Sequence, residues 1–303
     1  MNFQSSRTST KGYRLVAGYL GIAAMLAGFI VLLPLVFLIV YPGEMPYAAD
    51  FIAPGVASII IGYLLSFLIK GKARGHLREH EDSMVIVAAW VIAILVSALP
   101  FMLTGRYDFA HAVFEATSGF SATGLSVVDV EHCPRVFLAF RSIMLLFGGI
   151  GIVLVMTSIL SDRYGMRLYT AEGHGDRMLP NLLKSARTII ALYSGYIVAG
   201  TLLYIVFGMN WFDALNHSIA AVATGGFSTR ARSIGFYNSF PMELVTMALM
   251  VLGSTSFLVH RLLVKGKFDA WMRHGETKFP LVLIALTSPL IGVLLLGGIA
   301  TSL

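Results

Sequence analysis

Long apolar runs separated by short charged segments set the pattern of the chain. Seven stretches between successive charged residues approach membrane length: Leu15 to Gly43, Phe51 to Ile69, Ser83 to Gly105, Ser142 to Ser161, Thr188 to Phe212, Leu244 to His260 and Phe279 to Leu303. A helix needs ~20 apolar residues to cross the hydrocarbon core, so each is predicted to be a membrane helix. Two further apolar stretches, Ala116 to Val128 and Ala214 to Thr229, are too short to cross, and each breaks on a Thr-Gly pair, Thr123-Gly124 and Thr224-Gly225. Each lies between two long runs, which predicts the order membrane helix, re-entrant pore segment, membrane helix, written twice.

The break is the informative part. A helix that enters a membrane part-way must stop, and the irregular backbone beyond it survives only where protein buries it or water lines it. Glycine adopts positive φ without the steric cost of a Cβ, so carbonyls there can turn towards one axis and replace the water shell of a cation. One such stretch is equally well read as a small-residue surface for close helix packing. Two in matching contexts favour a pore.

This pattern predicts an all-α membrane protein of tandem helix, pore loop, helix repeats behind a leading helical hairpin. Residues 1–82 hold an N-terminal tail, the hairpin and an inner linker. Residues 83–186 and 187–278 hold the two repeats with their inner linkers, and 279–303 the first helix of an incomplete third. In the first repeat ALPFMLTG is predicted to stop the opening helix near Pro100, and the chain turns into the pore helix at Asp108. Aligning HAVFEA with DALNHS sets the second copy 102 residues after the first; aligning the Thr-Gly pairs sets it 101 after.

Composition agrees: 57% apolar against 13% charged residues and a mean hydropathy of +0.79 put the chain in the membrane class. The net charge of +6 resides in the inner loops rather than on a nucleic-acid-binding face. With the N-terminus in the cytoplasm, only Arg106, Arg135, Arg141, Arg230 and Arg232 fall outside, and the other 17 of 22 basic residues fall inside. The single Cys133 has no disulfide partner in the chain and reads as an inert outer-loop residue. His76 and His80 read as a solvated face. His111, Glu115 and His217 on the pore helices read as polar anchors before metal ligands. Asp129 and Glu131 follow the first break and would enrich cations at the mouth. Gly148-Gly149-Ile150-Gly151 has no preceding strand, so it reads as a smooth packing face or flexible point and not as a nucleotide loop. Among the longer spans none holds a cluster of acids and histidines, which disfavours an intramembrane enzyme.

FEATSGFSATGLS followed by FRSIMLLFGGIGIVL, then FDALNHSIAAVATGGFST followed by ELVTMALMVLGSTSFLVHRLLVKGK, resembles the TrkH/TrkG/KtrB superfamily of potassium uptake proteins, most closely its TrkH branch. The resemblance covers nearly the whole chain from about residue 13. It implies four repeats around one pore, potassium as the substrate with no cofactor bound by this chain, and a multi-pass protein of the cell inner membrane. It also implies a homodimer and a cytosolic nucleotide-binding RCK subunit of TrkA type, with no nucleic-acid partner. The family's selectivity filter maps onto Ala122, Thr123, Gly124 and Leu125 and onto Ala223, Thr224, Gly225 and Gly226, with potassium at Thr123, Gly124, Thr224 and Gly225. Relatives that favour sodium can carry serine at the first-repeat glycine; Gly124 here implies potassium. Two departures stand out. The chain stops inside a third repeat, without two of the four filters, the gating loop and the basic pore residue, and Gly253-Ser254-Thr255-Ser256 replaces a double glycine. The alternative is therefore a non-conducting membrane fragment or a regulatory half-subunit.

Overall fold

A computed structural model describes residues 9–67, 79–151 and 182–255, with further positions between 259 and 293. All regular elements among them are helical, as the hydrophobic pattern predicts. The chain divides into two compact units, Met1–Met250 and Val251–Leu303.

The first unit opens with the hairpin. Helix α1, Ser9–Leu32, runs into a 3-10 segment Leu33–Ile39, a second 3-10 segment Pro42–Tyr47 forms the turn of the hairpin, and α2 returns over Ala48–Ser66. The two helices cross at small residues. A Cβ on Gly28 would stand 2.5 Å from the Gly55 carbonyl oxygen, and one on Gly21 2.6 Å from that of Gly62. Between these points the Ser58 hydroxyl donates to the Ala24 carbonyl at 2.7 Å. Lipid tails are as apolar as the side chains they would replace, so close backbone approach and such bonds hold membrane helices together.

Helix α3, Glu79–Leu103, opens the first repeat. It passes the expected stop at Pro100 by three residues. A proline in the last turn removes one backbone donor, and the helix ends where Gly105 turns to φ +68. Helices α4, Phe109–Phe120, and α5, Arg135–Ile150, complete the repeat. The second repeat follows as α6, Leu182–Val206, α7, Trp211–Val222, and α8, Phe240–Ser254. Helix α5 ends inside the run read as one continuous span, because Gly151 takes φ +94.

Among the described residues four segments are long and apolar enough to cross a membrane: Val16–Ile39, Pro42–Ser66, Ser83–Leu103 and Thr188–Val206. The spans expected at 142–161, 244–260 and 279–303 run partly outside the described residues, and His76 lies outside them. Rings join the hairpin to the first repeat: Phe51 packs on Phe137 at 4.7 Å and on Phe140 at 5.3 Å, and Phe140 stacks on Phe101 at 5.7 Å. Glu44 of the hairpin turn reaches 91 residues along the chain to cap α5, accepting from the backbone N–H of Arg135 at 2.9 Å and of Val136 at 2.8 Å. In the second unit the His260 ring bonds the Leu252 carbonyl at 2.8 Å.

Candidate pore loops

Two short helices aim two broken loops at each other. The α4 N-terminus is capped by Asp108, whose carboxylate accepts from the His111 N–H at 2.8 Å; the α7 N-terminus is capped by Asn210, which accepts from the Asp213 N–H at 3.0 Å. Both helices run twelve residues, and both end in the same backbone. Ala122 and Thr224 each take φ 52, and Gly124 and Gly226 take φ 78 and φ 112. The Thr123 N–H donates to the Ser118 carbonyl at 3.0 Å and the Gly225 N–H to the Ala220 carbonyl at 2.9 Å.

Every one of these pairs lies 102 residues apart, so of the two offsets open from sequence the backbone follows 102. Ala122 to Leu125 therefore corresponds to Thr224 to Phe227, and the two Thr-Gly pairs stand one residue out of step. The loops meet: a Cβ on Gly124 would overlap the Gly225 carbonyl oxygen and stand 3.0 Å from the Gly226 Cα. Thr123, Leu125, Thr224 and Gly226 are exposed, while Phe227 is buried. The Leu125 carbonyl accepts from the Ser118 hydroxyl at 2.5 Å, which turns it towards the pore helix.

Below the loops, matching side chains act as anchors. Glu115 accepts from the Ser126 hydroxyl at 3.0 Å and the Val127 N–H at 3.0 Å. At the equivalent place His217 donates through Nδ1 to the Asp213 carbonyl at 2.8 Å, leaving Nε2 to accept from the Ser228 hydroxyl at 3.0 Å. Ser126 and Ser228 accept in turn from the Val128 N–H at 3.1 Å and the Arg230 N–H at 2.9 Å. Glu115 and His217 are thus polar anchors, each tied to the serine that follows its loop.

Helix α5 is the wall both loops share. Gly148 lies against the Phe120 carbonyl and Gly149 against Ala223, where an added Cβ would stand 3.0 Å from the alanine Cβ. The glycine run is thus a packing face. Ser142 donates to the Asn216 side chain at 2.5 Å. Arg141, grouped by sequence with the outer basic residues, is buried among these elements, with Nε 2.6 Å from Glu115 and a terminal nitrogen 2.9 Å from the Ser228 carbonyl. Its position after FLAF in an apolar stretch was a readable signal, since an intramembrane ionisable residue is rarely idle.

Beside the loops lies a cavity of about 340 Å³ lined by Gly124, Ser126, Asp129, Arg141, Gly226, Ser228 and Arg230 among others. Arg230 is committed to Asp213 at 2.8 Å. That carboxylate also accepts from Thr229 at 2.6 Å, Tyr237 at 2.7 Å and Asn210 at 2.6 Å, a hub that no sequence motif announced. Asp129 is exposed, and a hydrogen bond from the His132 ring holds its carboxyl below the usual aspartate range. Glu131 is exposed, accepts from the Ala231 N–H at 3.0 Å and so ties the two loops together. Burial pushes the Cys133 thiol up to about 12, in keeping with an inert cysteine.

The sequence model of the TrkH family, described as a cation transport protein, matches residues 48–301. The chain belongs to the TrkH family. It is 31% identical over 275 residues to the Trk system potassium uptake protein TrkH of Halomonas elongata, covering 88% of this chain and 55% of that relative. It is 32% identical over 243 residues to the Trk system potassium uptake protein TrkG of Escherichia coli K12, covering 75% and 50%. The crystal structure of the potassium transporter TrkH from Vibrio parahaemolyticus superimposes with a TM-score of 0.71 at 23% identity, over 88% of this chain and 53% of that one. TrkH-family members are transporters, and this chain spans about half the length of the curated relatives it matches.

Proposed function

We propose that the chain takes part in potassium uptake, with the loops at 122–125 and, in the 102-residue register, 224–227 forming two segments of a selectivity filter whose backbone carbonyls replace the hydration shell of the ion. The observation that carries this reading is the pair of matched loops, each broken at a positive-φ glycine and brought into contact at Gly124 and Gly225. Thr123 and Gly124, expected from the sequence to hold the ion with Thr224 and Gly225, have Gly225 and Gly226 as their backbone counterparts, and those four would hold it. The Leu125 carbonyl, already bonded to Ser118, contributes to loop shape. The proposed division sets a hairpin unit, 1–82, before two repeats, 83–186 and 187–278, and a further helix, 279–303. The N-terminus lies in the cytoplasm of the inner membrane, and a homodimer and a nucleotide-binding RCK subunit of TrkA type complete the assembly.

The second reading, a non-conducting fragment or regulatory half-subunit, draws on the exposure of Thr123 and Leu125, the latter 62% exposed. A dehydrated ion needs carbonyls on all sides, and filter backbone cannot face hydrocarbon unpaired. Further protein must therefore cover that side. Potassium uptake in transport-deficient cells separates the readings. Residues 1–303 alone, with insertion verified, are expected to give no selective uptake; joined to the C-terminal half of a TrkG or TrkH relative, they are expected to give potassium-selective uptake that Gly124→Ser weakens. Selective uptake by 1–303 alone would favour a pore made from two copies. Unchanged selectivity in the Gly124→Ser chimera would remove Gly124 from the filter.

A further inference from the structure

We infer that Arg141 is a positioning residue for ion selectivity, one guanidinium that locks the two filter loops in a fixed relation. The inference rests on the filter reading above. Arg141 projects from the shared wall α5 with its side chain 2% exposed. Its Nε donates at 2.6 Å to Glu115, the carboxylate that also takes the Ser126 hydroxyl and the Val127 N–H immediately after the first loop. A terminal nitrogen donates at 2.9 Å to the Ser228 carbonyl immediately after the second. The guanidinium plane covers the Phe227 ring, its carbon 4.1 Å from the ring centroid, and Phe227 follows Gly226. One rigid fork thus spans both loop ends.

The chemistry specifies arginine. Lysine would supply charge for Glu115, but its ammonium is a point donor on a flexible stem and does not reproduce the planar fork or stack on Phe227. Selectivity among ions of equal charge depends on where the carbonyls are held and how stiffly. With the fork gone, the Ser228 end of the second loop loses its tether to the Glu115 end of the first, and the contact at Gly124 and Gly225 is no longer enforced from outside.

The test compares Arg141→Lys and the neutral double variant Glu115→Gln/Arg141→Met with the parent, each carried in residues 1–303 joined to the C-terminal half of a TrkG or TrkH relative, the form expected to be selective. Potassium and sodium are each used as the probe. The potassium-to-sodium ratio is read from uptake in transport-deficient cells and from the ion-dependent shift of thermal unfolding in detergent. Arg141→Lys is expected to insert and to keep its unfolding temperature near that of the parent, yet to lose about tenfold in the ratio, the factor set by one charge-assisted hydrogen bond. The double variant is expected to lose at least as much. A purely structural role would lower expression and unfolding temperature at a constant ratio, and a parental ratio in Arg141→Lys overturns the inference. A parent with no preference by either readout brings down the filter reading and this inference together; a selective parent beside an equally selective Arg141→Lys brings down this inference alone.

Discussion

Alanine at Gly124 tests whether the two loops touch. Gly124 sits at φ +78, where any residue with a Cβ costs roughly 1–2 kcal/mol more than glycine. The added methyl would also meet the second loop, overlapping the Gly225 carbonyl oxygen and lying 2.9 Å from its carbon and 3.0 Å from the Gly226 Cα. These are backbone atoms, and Gly225 is held from behind by its bond to Ala220 and by Leu145. Overpacking against atoms that cannot rotate away costs about 1–3 kcal/mol, so the total expected for Gly124→Ala is about 2–5 kcal/mol. Gly105→Ala is the control: φ is +68 and nothing lies within 4 Å of an added Cβ, so only the backbone penalty applies. Unfolding in a titration of denaturing detergent, run on both variants, isolates the contact as their difference. Equal destabilisation would refute the argument, because it would mean that the loops do not meet.

Five further variants probe the frame around the loops by the same measurement. The 102-residue register makes Thr224, not Ala223, the left-handed residue of the second loop; Thr224→Gly should lie within about 0.5 kcal/mol of the parent because relieved φ strain offsets lost rigidity, and Ala223→Gly should cost about 0.5–1 kcal/mol. The reverse order would restore the other register. Glu44→Ala removes both acceptors that cap α5 and should cost about 1–2 kcal/mol, with Glu44→Gln near half of that since its amide keeps a single acceptor oxygen; no loss would mean that the hairpin does not brace the pore. Asp213→Asn should cost about 2–3 kcal/mol, below the figure for a fully buried pair because the Arg230 side chain is 33% exposed. A loss under about 0.5 kcal/mol would show the hub to be dispensable.

What sequence makes legible here is what depends on neighbours along the chain. Asp108 and Asn210 stand as caps immediately before twelve-residue helices, and the small-residue breaks follow at helical distance. The long apolar runs mark hairpin and repeats for the same reason. The register was ambiguous because the Thr-Gly string is a side-chain coincidence, whereas the backbone repeats the sign of φ at 122 and 224 and at 124 and 226. Contacts between distant segments escaped. Glu44 caps a helix 91 residues away, and Arg141 joins Glu115 to Ser228 across 26 and 87 residues. Nothing local to Glu44 or Ser228 marks either as half of a pair.

The two repeats share a backbone yet distribute charge differently, and the difference bears on the cavity beside the loops. At the matched anchor position repeat one carries a carboxylate, Glu115, and repeat two a ring, His217, each bound to a serine of its own loop. The acid of repeat two lies instead in the first turn of α7, at Asp213. Each acid takes up one arginine that lines that cavity: Glu115 takes Arg141 and Asp213 takes Arg230. Paired, Arg141 keeps its hydrogen bond to the Ser228 carbonyl and Arg230 its two bonds to Asp213 while the charge of each is compensated locally, and the exposed Asp129 lines the same cavity. The acids have moved along the pore helix between repeats, but in each repeat one acid compensates the arginine that its loop requires.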